Sequence, residues 1–484
     1  MARDRRSAKT ISTPEIGATP AVVVPARSPR RPGGLPTHLS LPRQVWALSL
    51  WPMFEQLLGW LVWFIDTALA GHLVGLEGQS SLEAVGGASY VTWLMGLLQG
   101  AIGVGATALI ARAVGARHRR EARAAVGQAI TLAIIWGSAF GVFFFFTAGW
   151  WSALCNFQGR TAELSTMYIR MMALVAPFMS VLFVGGSCLR GAGDTRTPFL
   201  VMVVVNVVNA IASLTFVIAD PPLGGHALLG IAWGTMVAWT VGAGLMVVLL
   251  LRGRGGVRLH LHRMRWHKRM MGRLLRVGLP SLGDNGSMWL GNFLVLYVIT
   301  HELPGMIAPA GSHIIGIRLE GLSFLPGYAF SVAAATMVGQ YLGAGDRDLA
   351  RRAAWTCWKF AALIMVSLGV LFMVVPAAFV WLVTDQALFI RDVPPLLFMA
   401  GWAQIAFATH MVFAGAIRGA GDTRTAMIIN LAFTFGVRLP LVILAARMDW
   451  LLVGVWAMCS VELVARAYIF LVYFQKGRWA RVDL

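Results

Sequence analysis

From residue 43 onward the chain is a succession of apolar runs, each long enough to cross about 30 Å of hydrocarbon, which takes roughly 20 residues of helix. Inside hydrocarbon every backbone N–H and C=O must be paired within the protein, so such runs are read as spanning helices. The 484 residues are 58% hydrophobic and only 13% charged, a balance few soluble domains show. Apolar runs set against turn signals predict spans near 43–71, 83–112, 124–149, 162–189, 196–219 and 227–251. The same rhythm returns near 270–300, 312–341, 351–383, 389–417, 425–446 and 451–475. The fold class is therefore all-α integral membrane, with twelve transmembrane helices.

A formal charge of +19 would suggest nucleic acid in a soluble chain, but here the basic residues occupy short gaps between spans, so topology explains them. One set of alternate gaps holds Arg117, Arg119, Arg120 and Arg123, the stretch from Arg252 to Arg276, and Arg347, Arg351 and Arg352. The other set holds only Arg160, Arg391 and Arg447, alongside Glu77, Asp220, Glu302, Asp385 and Asp449. The positive-inside rule makes the first set cytoplasmic and puts both termini inside a plasma membrane, with a bacterial inner membrane the expected location. Residues 1–42 are read as a disordered basic cytoplasmic tail, residues 43–251 as an N-lobe, 252–269 as a basic interlobe loop and 270–484 as a C-lobe. The tail's Arg5-Arg6 pair lacks the apolar core of a signal peptide. Cys155, Cys188, Cys357 and Cys459 have neither redox nor metal-ligand spacing and are read as small apolar packers.

The second half repeats the first. Arg190 to Thr197 and Arg418 to Thr425 are the same octapeptide, Arg-Gly-Ala-Gly-Asp-Thr-Arg-Thr, displaced by 228 positions. The same displacement pairs Pro52 with Pro280 and Gly115-Ala116 with Gly343-Ala344. An even number of spans separates the copies, which makes them parallel six-helix repeats about an axis along the membrane normal. At the end of spans 4 and 10 the glycines permit a tight turn, Asp194 or Thr195 can cap the next helix, and Pro198 suits its first turn.

Carboxylates within hydrocarbon are costly and are treated as functional candidates. Glu55 and Asp66 in span 1 are eleven residues apart, which places them on one helix face about three turns, or 16 Å, apart. A desolvated carboxylate favours its neutral form, so either could exchange a proton for a cation. Asn206, Asn209 and Ser213 in span 5 lie roughly along one face, and with Thr235 of span 6 they form a polar cluster expected to face Asp66. Packing between helices is the alternative use of such residues. Pro52 could let span 1 bend. In the second lobe Asp284 and His410 are weaker candidates, and Glu462 and Arg466, four apart, can pair on span 12. Arg318 and Glu320, two apart, do not face each other. The equivalent of Asp66 is Leu294, so the symmetry of the fold is expected to break in the chemistry.

These features resemble the multidrug and toxin extrusion (MATE) family, whose twelve-helix members carry an arginine-glycine-x-glycine-aspartate-threonine motif in each lobe. The resemblance covers about residues 43–480. It includes Asp66-Thr67 and Gly71-His72-Leu73, Tyr168 and Pro177, the stretch Arg318 to Gly327, Val338 to Ala344, Gly454-Val-Trp456 and Gly477-Arg-Trp479. It implies a MATE-type fold with Asp66 as the cation-coupling residue. Family members carry an aspartate or asparagine where this chain has Ser213, and the NorM-like branch carries acids where Met288 and Phe407 stand. The pattern is therefore closer to the DinF-like branch.

The function implied is secondary antiport. Lipophilic, often cationic drugs or toxins would leave by alternating access in exchange for protons or sodium, through a monomer in the lipid bilayer. A flippase for lipid-linked precursors shares the architecture and stays open at this point, as does a channel. The sequence holds no metal cluster, nucleophile elbow or phosphate-binding glycine loop, so no enzyme, cofactor or nucleic-acid partner is expected. Nineteen tryptophans and 26 phenylalanines would suit stacking on flat solutes as well as interfacial belts, and no individual aromatic ligand is singled out.

Overall fold

A computed structural model describes residues 33–71, 76–154, 157–218, 227–303 and 307–482. Side chains at 60, 63–68, 70, 71, 76–83, 85–87 and 89 lie outside that description. Asp66 belongs to this last group: its backbone is helical, and its side chain is among those not described.

The N-lobe consists of α1 (Leu41–Gly71), α2 (Leu76–Gly115), α3 (Arg119–Leu154), α4 (Gly159–Ala192), α5 (Arg196–Ile218) and α6 (Ala227–Leu251). The C-lobe opens with α7 (Lys268–Glu302), α8 (Pro309–Gly343) and α9 (Arg347–Val374). Three expected single spans then prove to be interrupted. The ninth ends at Val374, and Pro376 starts a separate turn, α10 (Pro376–Trp381). The tenth is split into α11 (Ala387–Asp392), α12 (Pro394–Trp402) and α13 (Gln404–Gly419), with a bend of 54° at Ala403. The eleventh runs as α14 (Thr423–Phe433), a π-turn over Thr434–Arg438, and α15 (Leu439–Arg447). Pro440, which has no N–H to donate and would crowd the preceding turn, is the physical reason for that π-turn. The last span is α16 (Leu451–Gln475). Nine described helices, or ten with the bent pair counted as one span, are long and apolar enough to cross a membrane. With α1 and α7 the set is twelve.

Both octapeptides form the same corner. Gly193 and Gly421 are left-handed, with φ of 98° and 95°, a conformation glycine adopts without steric cost. The next residue caps the following helix. Asp194 accepts from Thr197 N (3.0 Å) and Thr197 Oγ1 (2.6 Å), and Asp422 accepts from Thr425 N (3.3 Å) and from the Tyr473 hydroxyl. The threonine hydroxyl then ties the corner to the first helix of its own lobe. Thr195 donates to the Ala47 carbonyl (3.5 Å) and Thr423 to the Val277 carbonyl (2.7 Å).

The lobes meet at the end that bears the basic gaps, where α2 crosses α8. A Cβ placed on Gly115 would lie 2.0 Å from the Gln340 carbonyl oxygen, and one on Gly343 would lie 2.1 Å from that of Arg112. Arg112 and Gln340 are themselves 228 residues apart, so the two contacts are one contact seen from each lobe. Close backbone approach through small residues is the usual way membrane helices associate. Further hydrogen bonds surround the crossing. Thr336 donates to the Arg190 carbonyl (3.1 Å), Gln340 to the Gly191 carbonyl (2.9 Å) and Tyr341 to Gln44 (2.7 Å).

Two segments outside the expected spans are packed here. Residues 33–35 sit against the crossing: Leu35 is buried with Val338 and Tyr341, and a Cβ on Gly34 would touch the Ala192 carbonyl and the Gln340 side chain. Residues 33–42 are therefore ordered, where disorder was expected, and residues 1–32 lie outside the described chain. The interlobe segment is likewise fixed. Gln128 donates to the carbonyls of Arg263 and Arg265, Thr131 to that of Met264, and Val257 and Leu259 are buried. At the chain's other end Trp479 stacks on Phe474, and the Val482 carbonyl accepts from Arg112 (2.6 Å).

If this crossing closes the basic end, Gly115→Val forces α2 and α8 apart, at a cost of about 1–3 kcal/mol to the closed arrangement. A Thr336→Cys probe should then react faster with a membrane-impermeant maleimide in the Gly115→Val background. Equal rates in the two backgrounds would contradict it.

Candidate functional site

The polar groups of the bundle interior fall into separate clusters. In the N-lobe, α5 and α6 bring the expected residues together: Asn209 Nδ2 donates to Thr235 Oγ1 (2.9 Å) and lies 3.5 Å from Ser213 Oγ. Ser213 in turn reaches the Ile231 carbonyl at 3.5 Å. All three are buried. Asn206 is one turn away and spends its amide N–H on its own helix, at the Met202 carbonyl (2.9 Å). Its Oδ1 is buried with no hydrogen-bond partner among the described residues, which leaves an acceptor able to take a hydrogen bond or coordinate a cation. α1 packs along α5 and α6, so the helix that carries Asp66 adjoins this cluster.

Glu55 is not a solitary carboxylate. Arg190, the first residue of the octapeptide, donates to it at 2.6 Å and also reaches Ser187 Oγ at 2.9 Å. The side chains of the pair are only 11% and 15% exposed. Such a pair in low dielectric neutralises the charge that a coupling acid would need free. Pro52 is buried, and α1 runs through it as one helix.

The second lobe repeats the pair with a changed partner. Arg418, the first residue of the second octapeptide, lies 3.5 Å from Asp284, which also accepts from Asn430 at 2.6 Å. His410 Nε2 stands 3.1 Å from Asn430 Oδ1. Because that oxygen only accepts, Nε2 carries the proton and Nδ1 is bare in the neutral ring. Beside this chain, Glu462 is fully buried between Arg466 (3.0 Å) and Arg438 (2.9 Å). The expected Glu462–Arg466 pair is thus part of a triad. Arg438 is delivered by the π-turn.

Away from the basic end, a cavity between the lobes is lined by Tyr90 and Trp93 of α2, Trp289, Asn292 and Phe293 of α7, and His313 of α8. Trp289 and Phe293 stack at 5.5 Å with planes 6° apart, and Trp289 Nε1 donates to the Tyr90 carbonyl (3.2 Å). Trp456 Nε1 donates to His313 Nδ1 at 3.0 Å. Among the described residues no cluster of three or more His, Cys, Asp or Glu could hold a metal ion. Cys188 and Cys357 are buried and Cys459 partly so, while Cys155 lies outside the described residues.

Sequence reasoning missed that each octapeptide arginine holds an acid of its lobe's first helix. The signal was present but blurred, because Glu55 and Asp284 are 229 residues apart and not 228. It also missed the cavity aromatics.

Two equivalent six-helix lobes, closed on each other at one end and enclosing polar and aromatic groups away from it, define a membrane transporter. The MatE family model matches residues 52–215 and 280–444, one match in each lobe, and the chain belongs to the multidrug and toxin extrusion (MATE) family. The "Probable multidrug resistance protein NorM" of Thermotoga maritima is 28% identical over 436 residues, 90% of this chain and 92% of that protein. An "FAD transporter" of Shewanella oneidensis is 23% identical over 382 residues, covering 77% and 82%. Among solved structures, a MOP superfamily transporter from Pyrococcus furiosus is similar with a TM-score of 0.84 at 20% identity, over 94% of this chain and 100% of that one.

Removing one member of a buried pair leaves the other charge unanswered, at about 3–5 kcal/mol. Glu55→Gln and Arg190→Gln should each lower the melting temperature in detergent more than the double variant does relative to either single one. Strict additivity in that cycle would show that the pair contributes no coupling energy.

Proposed function

We propose that this chain is a secondary active antiporter that exports lipophilic organic solutes, often cationic in the class it resembles, in exchange for protons or sodium ions by alternating access. The pseudo-symmetric closure at α2 and α8 is the observation that carries this reading. Around that crossing the contact is mirrored, with Val45 and Leu48 of α1 in the C-lobe core and Met270, Met271 and Leu274 of α7 in the N-lobe core, while the octapeptide and its ion pair tie each lobe internally.

Asp66 is the coupling residue in this reading, with the cluster of Asn206, Asn209, Ser213 and Thr235 across from α1 supplying neutral oxygen atoms. The unpartnered Asn206 Oδ1 supports that role. Glu55 serves the lobe as the partner of Arg190. Asp284 and His410, joined through Asn430, form a secondary candidate whose charge Arg418 answers. The basic end faces the cytoplasm of a bacterial inner membrane, with both termini on that side, and the unit of function is a monomer. Met288 and Phe407, in place of acids, support the DinF-like branch.

Efflux of several dyes from vesicles under an imposed proton or sodium gradient tests the assignment. Asp66→Asn should lose the gradient-driven component, on the order of a tenfold fall in initial rate, while passive leak is unchanged. Full gradient-driven efflux in that variant would remove Asp66 from the mechanism.

A further inference from the structure

The segment that joins the lobes, residues 252–267, is long enough to present a surface of its own. The basic gaps before α3 and α9 are tight turns, Ala116 to His118 and Ala344 to Asp346, and orientation in the membrane accounts for their arginines. The interlobe segment instead sorts its large side chains onto two sides. Val257 and Leu259 are buried and Met264 packs on the N-lobe core, whereas Leu261 and Trp266 are 67% and 62% exposed. Arg265, Lys268 and Arg269 are exposed next to them in the chain, and the sequence from Arg252 to Arg276 contains no Asp or Glu.

The segment is held in place from its inner side. Gln128 of α3 donates to the Arg263 carbonyl (2.7 Å) and the Arg265 carbonyl (2.8 Å), and Thr131 donates to the Met264 carbonyl (2.9 Å). Gln128 Oε1 in turn accepts from the His267 N–H at 3.0 Å, and the Leu259 N–H donates to the Leu250 carbonyl at 2.9 Å. These bonds spend the inner edge on the N-lobe and leave Leu261 and Trp266 on the exposed side. The depth of the segment follows from α6. Its 25 residues rise about 37 Å at 1.5 Å each, against roughly 30 Å of hydrocarbon. Leu251 therefore falls in the headgroup layer, where the segment begins. At that depth an indole and a leucine side chain enter the interfacial layer while neighbouring cations meet lipid phosphates.

We propose that the interlobe segment is a docking surface for anionic phospholipid, with Leu261 and Trp266 in the interfacial layer and Arg265, Lys268 and Arg269 on headgroup phosphates. Charge complementarity and depth together select a lipid leaflet over a soluble partner. Each Lys or Arg near an anionic leaflet strengthens binding severalfold, and the buried apolar area adds to it. The segment is bonded to α3 and leads directly into α7, so the lipid holds the joint between the lobes at the membrane surface.

Fluorescence anisotropy of tail-labelled phosphatidylglycerol, and of phosphatidylcholine with the same label, tests this with the purified full-length protein in neutral detergent. Phosphatidylglycerol should bind on the order of tenfold more tightly. Replacing Arg265, Lys268 and Arg269 together by Gln should lower that affinity about tenfold. The same replacement of Arg347, Arg351 and Arg352, three exposed cations at the start of α9, should change it less than about twofold. Leu261→Ser with Trp266→Ser should weaken both lipids about threefold or more. Equal binding of the two lipids by the wild type, or equal losses from the two triple variants, would overturn the proposal. Displacement of labelled phosphatidylglycerol by micromolar glycerol phosphate would overturn it in favour of a soluble-phosphate site, and displacement by a short DNA duplex in favour of a nucleic-acid surface. The wild-type lipid ratio decides even where a variant fails to fold. No gradient or transported solute is involved, so the outcome leaves the antiport reading untouched.

Discussion

The backbone contact between α2 and α8 is the constraint on which the two-lobe arrangement depends. Gly115 and Gly343 let each helix come against a carbonyl of the other, at a distance that no side chain could share. Because Arg112 and Gln340 are equivalent by the repeat, neither lobe is the scaffold for the other. Membrane helices gain little hydrophobic drive from meeting one another, so such a contact holds through close packing and a few hydrogen bonds. Apolar packing surrounds it, with Val45 and Leu48 of α1 in the C-lobe core and Met270, Met271 and Leu274 of α7 in the N-lobe core. The chain adds Leu35, Gly34 and the Val482 carbonyl around it, which links both described ends of the polypeptide to the state of the crossing.

Each lobe, by contrast, is tied together by groups that cannot be released cheaply. The octapeptide pins three helices at once: its arginine holds an acid of the lobe's first helix, its aspartate caps the next helix, and its threonine hydroxyl reaches back to the first helix again. Breaking the buried ion pair would strand a charge in low dielectric. Two bodies tied internally in this way and joined by a symmetric contact fit the proposed alternating-access cycle.

The octapeptide corner was legible in the sequence because its chemistry is local. Gly193 needs a positive φ and Asp194 needs only the third residue ahead of it, so sequence spacing suffices. The polar cluster on α5 and α6 was legible for a similar reason, since positions 206, 209 and 213 recur at helical spacing. The Arg190–Glu55 pair was not, because it joins helices 135 residues apart and its counterpart slips by one position in the second lobe. The asymmetry of the lobes was anticipated from Leu294, yet the density of charge in the second lobe was not. Arg438 owes its place opposite Glu462 to a π-turn, and the turn exists because of Pro440, whose effect on register cannot be read from hydropathy. The interrupted tenth span has the same origin in backbone chemistry: Pro394 and Pro395 restart the helix at α12, and the bend at Ala403 follows one short helix later.

Spin labels at Arg119→Cys and Arg347→Cys report most directly on whether the lobes turn about the crossing. These two exposed positions begin α3 and α9 and are equivalent by the repeat. Rigid lobes that separate at the basic end predict two distance populations in pulsed electron resonance, whose ratio shifts with pH, sodium or bound solute. A control pair, Arg119→Cys with Arg252→Cys directly after α6, should keep one distance throughout. A single Arg119-to-Arg347 distance under all of these conditions, or equal shifts in the control pair, would contradict rigid-lobe motion about Gly115 and Gly343.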